Sequence, residues 1–154
     1  MKKMRFIRNC VCGVTLSICA VTGSMAQEIT MEQTLEYIKG KLGAGYEIDV
    51  NHGVIVTKFS EGTEPYREDQ VLYKTLDLTS MRYDASLRLF IINCKGGTKC
   101  VDRQLYVRKI QRDYARLSLP VTLDTKGIEG MKNAFTHMMR LIEDPKYSST
   151  TPFE

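Results

Sequence analysis

The chain has no tryptophan, only four prolines and only two histidines among its 154 residues. A four-ligand zinc site would have to join His52 and His137 to Cys94 and Cys100, and neither histidine belongs to a short ligand pair. His52 is therefore assigned to a turn and His137 to the solvent side of a helix, and no metal or cofactor is expected. The sequence also lacks a Gly-x-Ser-x-Gly nucleophile elbow and a phosphate-cradling glycine loop. Gly43-Ala44-Gly45 lacks both the third glycine of a dinucleotide fingerprint and a strand ahead of it, and reads as a helix stop. These absences argue against an enzyme and leave a small secreted hydrolase as the least favoured reading.

Long apolar runs are missing too. The one apolar stretch, Cys10 to Val21, is too short to span a membrane. It follows a basic start with Lys2, Lys3, Arg5 and Arg8 and precedes the small-residue site Ser24-Met25-Ala26. This is the pattern of a cleavable secretory signal over residues 1–26, with export to a periplasm or the cell exterior. Ile18 stands before Cys19, where lipid attachment asks for a small residue, so stable membrane insertion after cleavage is not expected.

Removing the signal changes the composition. Of 22 Lys and Arg, four lie in it, leaving 18 against 18 Asp and Glu. Nucleic acid is a poor partner for an exported chain of neutral total charge. Of five cysteines, Cys10, Cys12 and Cys19 go with the signal, and the remaining pair, Cys94 and Cys100, reads as one disulfide in an oxidising compartment.

Residues 27–144 are expected to form a single domain and 145–154 a loose tail. Thr30 caps a helix with Gln33 reaching back, and Met31, Leu35, Ile38 and Leu42 give it an apolar stripe. Tyr46, Ile48 and Val50, then Asn51-His52-Gly53, then Val54 and Val56 read as a hairpin. Residues 60–65 read as a polar loop, 70–78 as a strand, and 87–92 as a nearly continuous apolar strand central in its sheet. Val101, Leu105 and Val107 precede a charged turn at 109–113. Ala115, Leu117 and Leu119 follow, with Pro120 at a strand end or edge. Ile128, Met131, Phe135, Met138 and Ile142 mark a final amphipathic helix capped by Asp124 or Thr125, with Met131, Met138 and Met139 assigned to the core.

The sum is an α+β domain in which two helices cover a curled antiparallel sheet of about six or seven strands. From Tyr46 to Asp144 this layout resembles the pleckstrin-homology superfold, a strand meander closed by a C-terminal helix. The chain departs from that family in its extra N-terminal helix, its lack of tryptophan and the absence of a basic cluster in the first hairpin. The resemblance implies architecture and no lipid binding.

Two features carry the functional reading. Cys94 and Cys100 enclose Lys95-Gly96-Gly97-Thr98-Lys99, a cationic loop expected across a hairpin mouth, with the glycines supplying positive φ. It is similar in idea to the cysteine-closed loop of periplasmic inhibitors of vertebrate lysozyme, without the histidine that family carries there. Inhibition of a secreted enzyme is accordingly the alternative reading. Charge is also uneven: residues 27–69 hold four basic and nine acidic side chains, while residues 99–116 hold six basic and two acidic. Within the basic stretch Tyr106, Arg108, Arg112, Tyr114 and Arg116 share even numbering and are expected on one face, opposite Leu105, Val107 and Leu117. Glu61, Glu64, Glu68 and Asp69 are assigned to a solvated loop. The expected function is non-catalytic binding of an unknown protein or anionic envelope component, through Lys95, Lys99, Tyr106, Arg108 and Arg112.

Overall fold

The computed structural model describes residues 28–144; the signal expected over 1–26 and the tail expected over 145–154 lie outside them. Helix α1, Met31–Leu42, begins with a capping box in which Thr30 accepts from the Gln33 amide and the Gln33 side chain accepts from Thr30 N–H. It buries Thr34, Ile38 and Leu42 and stops at Gly43, whose φ is 90°. Strands β1, Tyr46–Asn51, and β2, Val54–Glu61, form the expected hairpin. His52 and Gly53 both take positive φ, 48° and 77°, as a two-residue turn between twisted strands requires. Gly45 is needed for space as well as conformation, because a Cβ there would sit 2.6 Å from the Ser60 carbonyl.

Strand β3, Glu64–Leu72, pairs with β2 down to Glu61–Glu64. The supposed loop at 60–65 is thus two strand ends around a turn at Gly62, with an irregularity in the pairing between Phe59 and Ser60. The strand expected over 70–78 is interrupted by a 3-10 turn at Tyr73–Thr75, after which β4 runs Leu76–Asp84. Strand β5 is Leu89–Cys94, and Leu87 sits in the turn before it, exposed. Strands β6, Val101–Leu105, and β7, Ile110–Tyr114, enclose a turn at 106–109, so most of the stretch read as a charged turn is a strand. β8, Arg116–Pro120, ends at the proline, and α2, Thr125–Glu143, is capped by Asp124 accepting from Gly127 N–H.

Among the described residues all pairings are antiparallel, but the eight strands form two sheets and not one curled sheet of six or seven: β1-β2-β3-β6-β7 and β4-β5-β8. The chain crosses from the first to the second after β3, returns after β5, and leaves again after β7. The order departs from a simple meander because β6 pairs with β3 across the intervening β4–β5 hairpin. Pro120 lies on β8, an edge strand, where a missing N–H breaks no ladder.

One core joins all layers. Ile38 and Leu42 of α1, Tyr46, Ile48, Ile55 and Val71 of the larger sheet, Phe90, Ile92, Leu117 and Leu119 of the smaller, and Met131, Phe135 and Met138 of α2 belong to a single cluster. β5 is central in its sheet, and Phe90, Ile91 and Ile92 are all buried, as a continuous apolar run demands. Phe90 and Phe135 stack at 5.7 Å between centroids. The methionines of α2 are core residues, with Met131 and Met138 fully buried and Met139 at 4% exposure.

Cys94 and Cys100 form a disulfide. The loop between them does not close a hairpin, since β5 and β6 belong to different sheets. It makes the crossing from one sheet to the other. Beside it Tyr114-Ala115-Arg116 makes the same crossing in reverse: Cys94 N–H donates to Ala115 O at 2.9 Å and Cys100 N–H to Tyr114 O at 3.1 Å. The bond therefore pins the corner where two chain segments change sheets. Replacing both cysteines by alanine should cost about 2 kcal/mol in the chain-entropy account. Thermal unfolding should show a lower but still cooperative transition; an unchanged melting temperature would mean that the crossing is held by its backbone bonds alone.

Candidate functional site

The inner face of the larger sheet is set by register. Rows across the strands read Tyr46–Phe59–Arg67–Leu105–Ile110, then Ile48–Thr57–Asp69–Arg103–Arg112, then Val50–Ile55–Val71–Val101–Tyr114. The third row joins the core, while the second contains charge. Asp69 has no exposed surface, so it does not lie in the solvated loop that its acidic run suggests. It belongs to β3, with Val71 beyond it on the same face.

Two guanidiniums compensate its burial. Arg67 donates through Nε to Asp69 Oδ1 at 2.9 Å and through Nη2 to Oδ2; Arg103 donates through Nε to Oδ1 at 2.6 Å and through Nη2 to Oδ2 at 2.8 Å. Both reach the smaller sheet as well: Arg67 Nη2 donates to Ser118 O at 2.6 Å and Arg103 Nη2 to Ser118 Oγ at 3.1 Å. Burial pushes the Asp69 carboxyl up, but the hydrogen bonds and charges of the two arginines outweigh it and hold the group below its ordinary range. Tyr46 lies within their field; burial, reinforced by Asp69 and opposed by Arg67, pushes its hydroxyl up to about 12, so it stays neutral. Arg103 also stacks on Tyr114, 4.4 Å from the ring centroid.

The turn at 106–109 decides where the expected site residues go. Because Leu105 pairs with Ile110, odd residues of β6 share a face with even residues of β7. Arg112 and Tyr114 therefore stand on the inner face with Arg103, whereas Tyr106 leaves the strand on the other side. Its hydroxyl donates to Glu68 Oε2 at 2.8 Å on the outer face, and that bond raises its own pKa. The common face predicted from even numbering does not form. Leu117 belongs to the other sheet, and Val107 is 72% exposed at the turn. Arg108 and Lys109 are exposed in the same turn, Lys109 with φ 50°.

The loop with Lys95 and Lys99 is exposed and is closed on itself by Thr98 N–H and Oγ1 donating to Lys95 O. Gly96 and Gly97 take positive φ, 61° and 68°, as expected. The loop lies at the opposite end of β6 from the turn at 106–109, roughly 15 Å away at strand spacing. Lys95 also acts on Asp77, whose pKa is lowered first by its hydrogen bond from Thr79 and only in small part by this lysine. The five candidate residues thus occupy three places: the closed loop, the inner side of β7 with its turn, and the outer face.

On the outer face Glu68, Gln70, Asp102, Gln104 and Gln111 line a depression of about 30 Å³, room for one water. Gln111 donates to Asp102 Oδ2 at 2.7 Å, and Asp102 Oδ1 is buried without a partner. Burial pushes Glu68 up, but bonds from Gln70 and Tyr106 and the charge of Lys58 leave its pKa lowered overall.

A larger cavity, about 570 Å³, lies elsewhere, between α1 and α2, with Ile29, Tyr37, Asn133, Ala134 and His137 among its lining. His137 is not turned to solvent as predicted. Half-buried, it bonds through Nε2 to Ile29 O at 2.9 Å and through Nδ1 to Arg140 Nη2 at 2.9 Å. An arginine only donates, so Nδ1 accepts and Nε2 carries the proton. Among the described residues no group of three or more His, Cys, Asp or Glu is placed to hold a metal, and no helix is long and apolar enough to cross a membrane.

Sequence reasoning missed Arg67, Asp69, Arg103 and Ser118. The signal was available in Arg67-x-Asp69-x-Val71, where opposite charges two residues apart continue into an apolar row. Compared with protein families, with curated proteins and with solved structures, the chain matches none.

Replacing Asp69 by asparagine should leave two partly buried guanidiniums uncompensated and cost about 3–5 kcal/mol. Because the native pKa is depressed, the stability this carboxylate contributes is complete above its ordinary value of 3.8 and is lost as pH falls through the native value. Urea unfolding of the native protein should weaken through that acid window. If the Asp69→Asn variant weakens just as steeply there, Asp69 is not the group responsible.

Proposed function

We propose that the chain is an exported, non-catalytic binding module whose cationic β6–β7 hairpin holds an anionic protein or envelope polymer. The observation that carries this reading is the cross-strand pair Arg103–Arg112. Like charges opposite one another in a sheet cost a few tenths to about 1 kcal/mol, a cost that an anionic partner would remove. Arg108 and Lys109 extend the same sign to the exposed turn beside Val107. The disulfide fits an oxidising compartment, which supports export to a periplasm or the cell exterior through the signal at residues 1–26. The pleckstrin-homology-like layout belongs to this proposal as architecture only, supported by the C-terminal helix packed on both sheets' common core.

The exposed, cysteine-closed loop with Lys95 and Lys99 favours a second reading, inhibition of a secreted enzyme by a pre-ordered segment that loses little entropy on docking. The two readings use opposite ends of β6, so paired variants separate them.

Affinity capture from an envelope extract should retain a partner at low salt and lose it as salt rises, since exposed charges are screened within about 10 Å at 0.1 M. Replacing Arg108 and Arg112 by alanine should weaken retention about tenfold with the melting temperature nearly unchanged. Replacing Lys95 and Lys99 should leave it intact. The reverse pattern would move the site to the closed loop, and no partner in either case would remove the binding reading.

A further inference from the structure

We infer that Arg67, Arg103 and Arg112 form an oxyanion site on the inner face of the larger sheet, taking a carboxylate or phosphoryl group of the partner. The inference rests on the anionic-partner reading above and names the chemistry by which that partner is held.

Arg67 and Arg103, at 14% and 11% side-chain exposure, share a single buried carboxylate. Tyr46 contributes no second negative charge, Thr57 beside Asp69 is neutral, and Ser118 supplies only dipoles. Among the described residues the pair therefore carries one uncompensated positive charge. Partly desolvated excess charge of this kind is costly unless an anion meets it.

The geometry shows which atoms remain for a ligand. Both arginines spend the Nε–Nη2 edge on Asp69, and the same Nη2 groups reach Ser118. Among the described residues neither Nη1 has a hydrogen-bond partner, and neither is among the buried unpartnered atoms, so both reach solvent. Asp69, Ser118 and the Tyr114 ring fix the two planes, so these donors are already ordered before any ligand arrives. Arg112, exposed and directly across from Arg103 on the same face, adds a third guanidinium. Planar, fixed donor forks of this type match the oxygens of carboxylates and phosphates.

Electrostatics beyond the pair do not cancel it. The acids of the same hairpin, Asp102 and Asp113, pair with each other on the outer face, and Asp102 is engaged there by Gln111. Glu68 also faces outward and is held by Tyr106, Gln70 and Lys58. The sheet thus separates its charge, with amides and carboxylates outside and the guanidinium row inside.

The test titrates the purified protein with inorganic phosphate, and separately with acetate, against chloride at matched ionic strength, reading the arginine side-chain signals by NMR. The Arg67 and Arg103 guanidinium signals should move with saturation in the millimolar range. The Arg112→Gln variant, changed at an exposed position, should bind at least about fivefold more weakly with its fold intact. Tighter phosphate supports the site and assigns it to phosphoryl groups; tighter acetate supports it and assigns it to carboxylates. Unmoved Arg67 and Arg103 signals, equal responses to chloride, or undiminished binding in Arg112→Gln overturn it. Salt-sensitive partner capture with a silent titration would sink this site and leave the binding module standing. A clear titration with no captured partner would do the opposite.

Discussion

Two guanidiniums close on one buried carboxylate, and the position of the second sheet depends on that contact. Asp69 sits in β3, Arg67 two residues before it on the same strand, and Arg103 opposite it on β6. Their shared reach to Ser118 carries the network onto β8, the edge strand of the smaller sheet. A sheet edge exposes backbone groups that need partners, and here a guanidinium supplies one in place of another strand. Hydrophobic contact alone has no direction and would tolerate sliding between the sheets. Six hydrogen bonds at fixed angles to one carboxylate and one serine do not.

The disulfide acts on the same problem from the other end. The chain changes sheets between β5 and β6 and again between β7 and β8, and Cys94–Cys100 ties the first crossing while backbone bonds from both cysteines tie the second. With one corner covalently held and the middle of β8 clamped by Arg67 and Arg103, little rotational freedom is left between the two sheets. Packing then fills the remainder: Phe90 against Phe135, and the α2 methionines between sheets and helix.

What could be read from the sequence was what is decided locally. The Thr30 capping box, the turn at His52-Gly53, the α2 stripe and the Cys94–Cys100 pairing each involve residues within a few positions of one another and are found in the structure, although Asn51 belongs to β1 and the disulfide spans a crossing between sheets and not a hairpin mouth. Sheet membership is decided by partners far along the chain. Nothing in residues 70–78 announces that a 3-10 turn at Tyr73–Thr75 sends the chain to another sheet. Similarly, the four residues 106–109 invert the parity of the faces, so the even-numbered basic and aromatic residues do not share one face. Asp69 was hidden for a related reason. An acid in an acidic run looks solvated until Arg103, 34 positions away, is seen to meet it.

A network built only for stability would be expected to balance its charge. Buried ion pairs often do no better than well-packed apolar side chains of the same volume, because desolvation consumes most of the Coulombic gain. Here the imbalance is compounded: a second positive charge accompanies one negative, and a third arginine is placed across the strand from the second. Alternation would have put Arg112 on the outer face had the turn been one residue shorter or longer, next to Asp102 and Glu68, where it could have been neutralised. The four-residue turn puts it instead beside the charge it repels. An anion seated at that row would relieve the repulsion that the turn imposes.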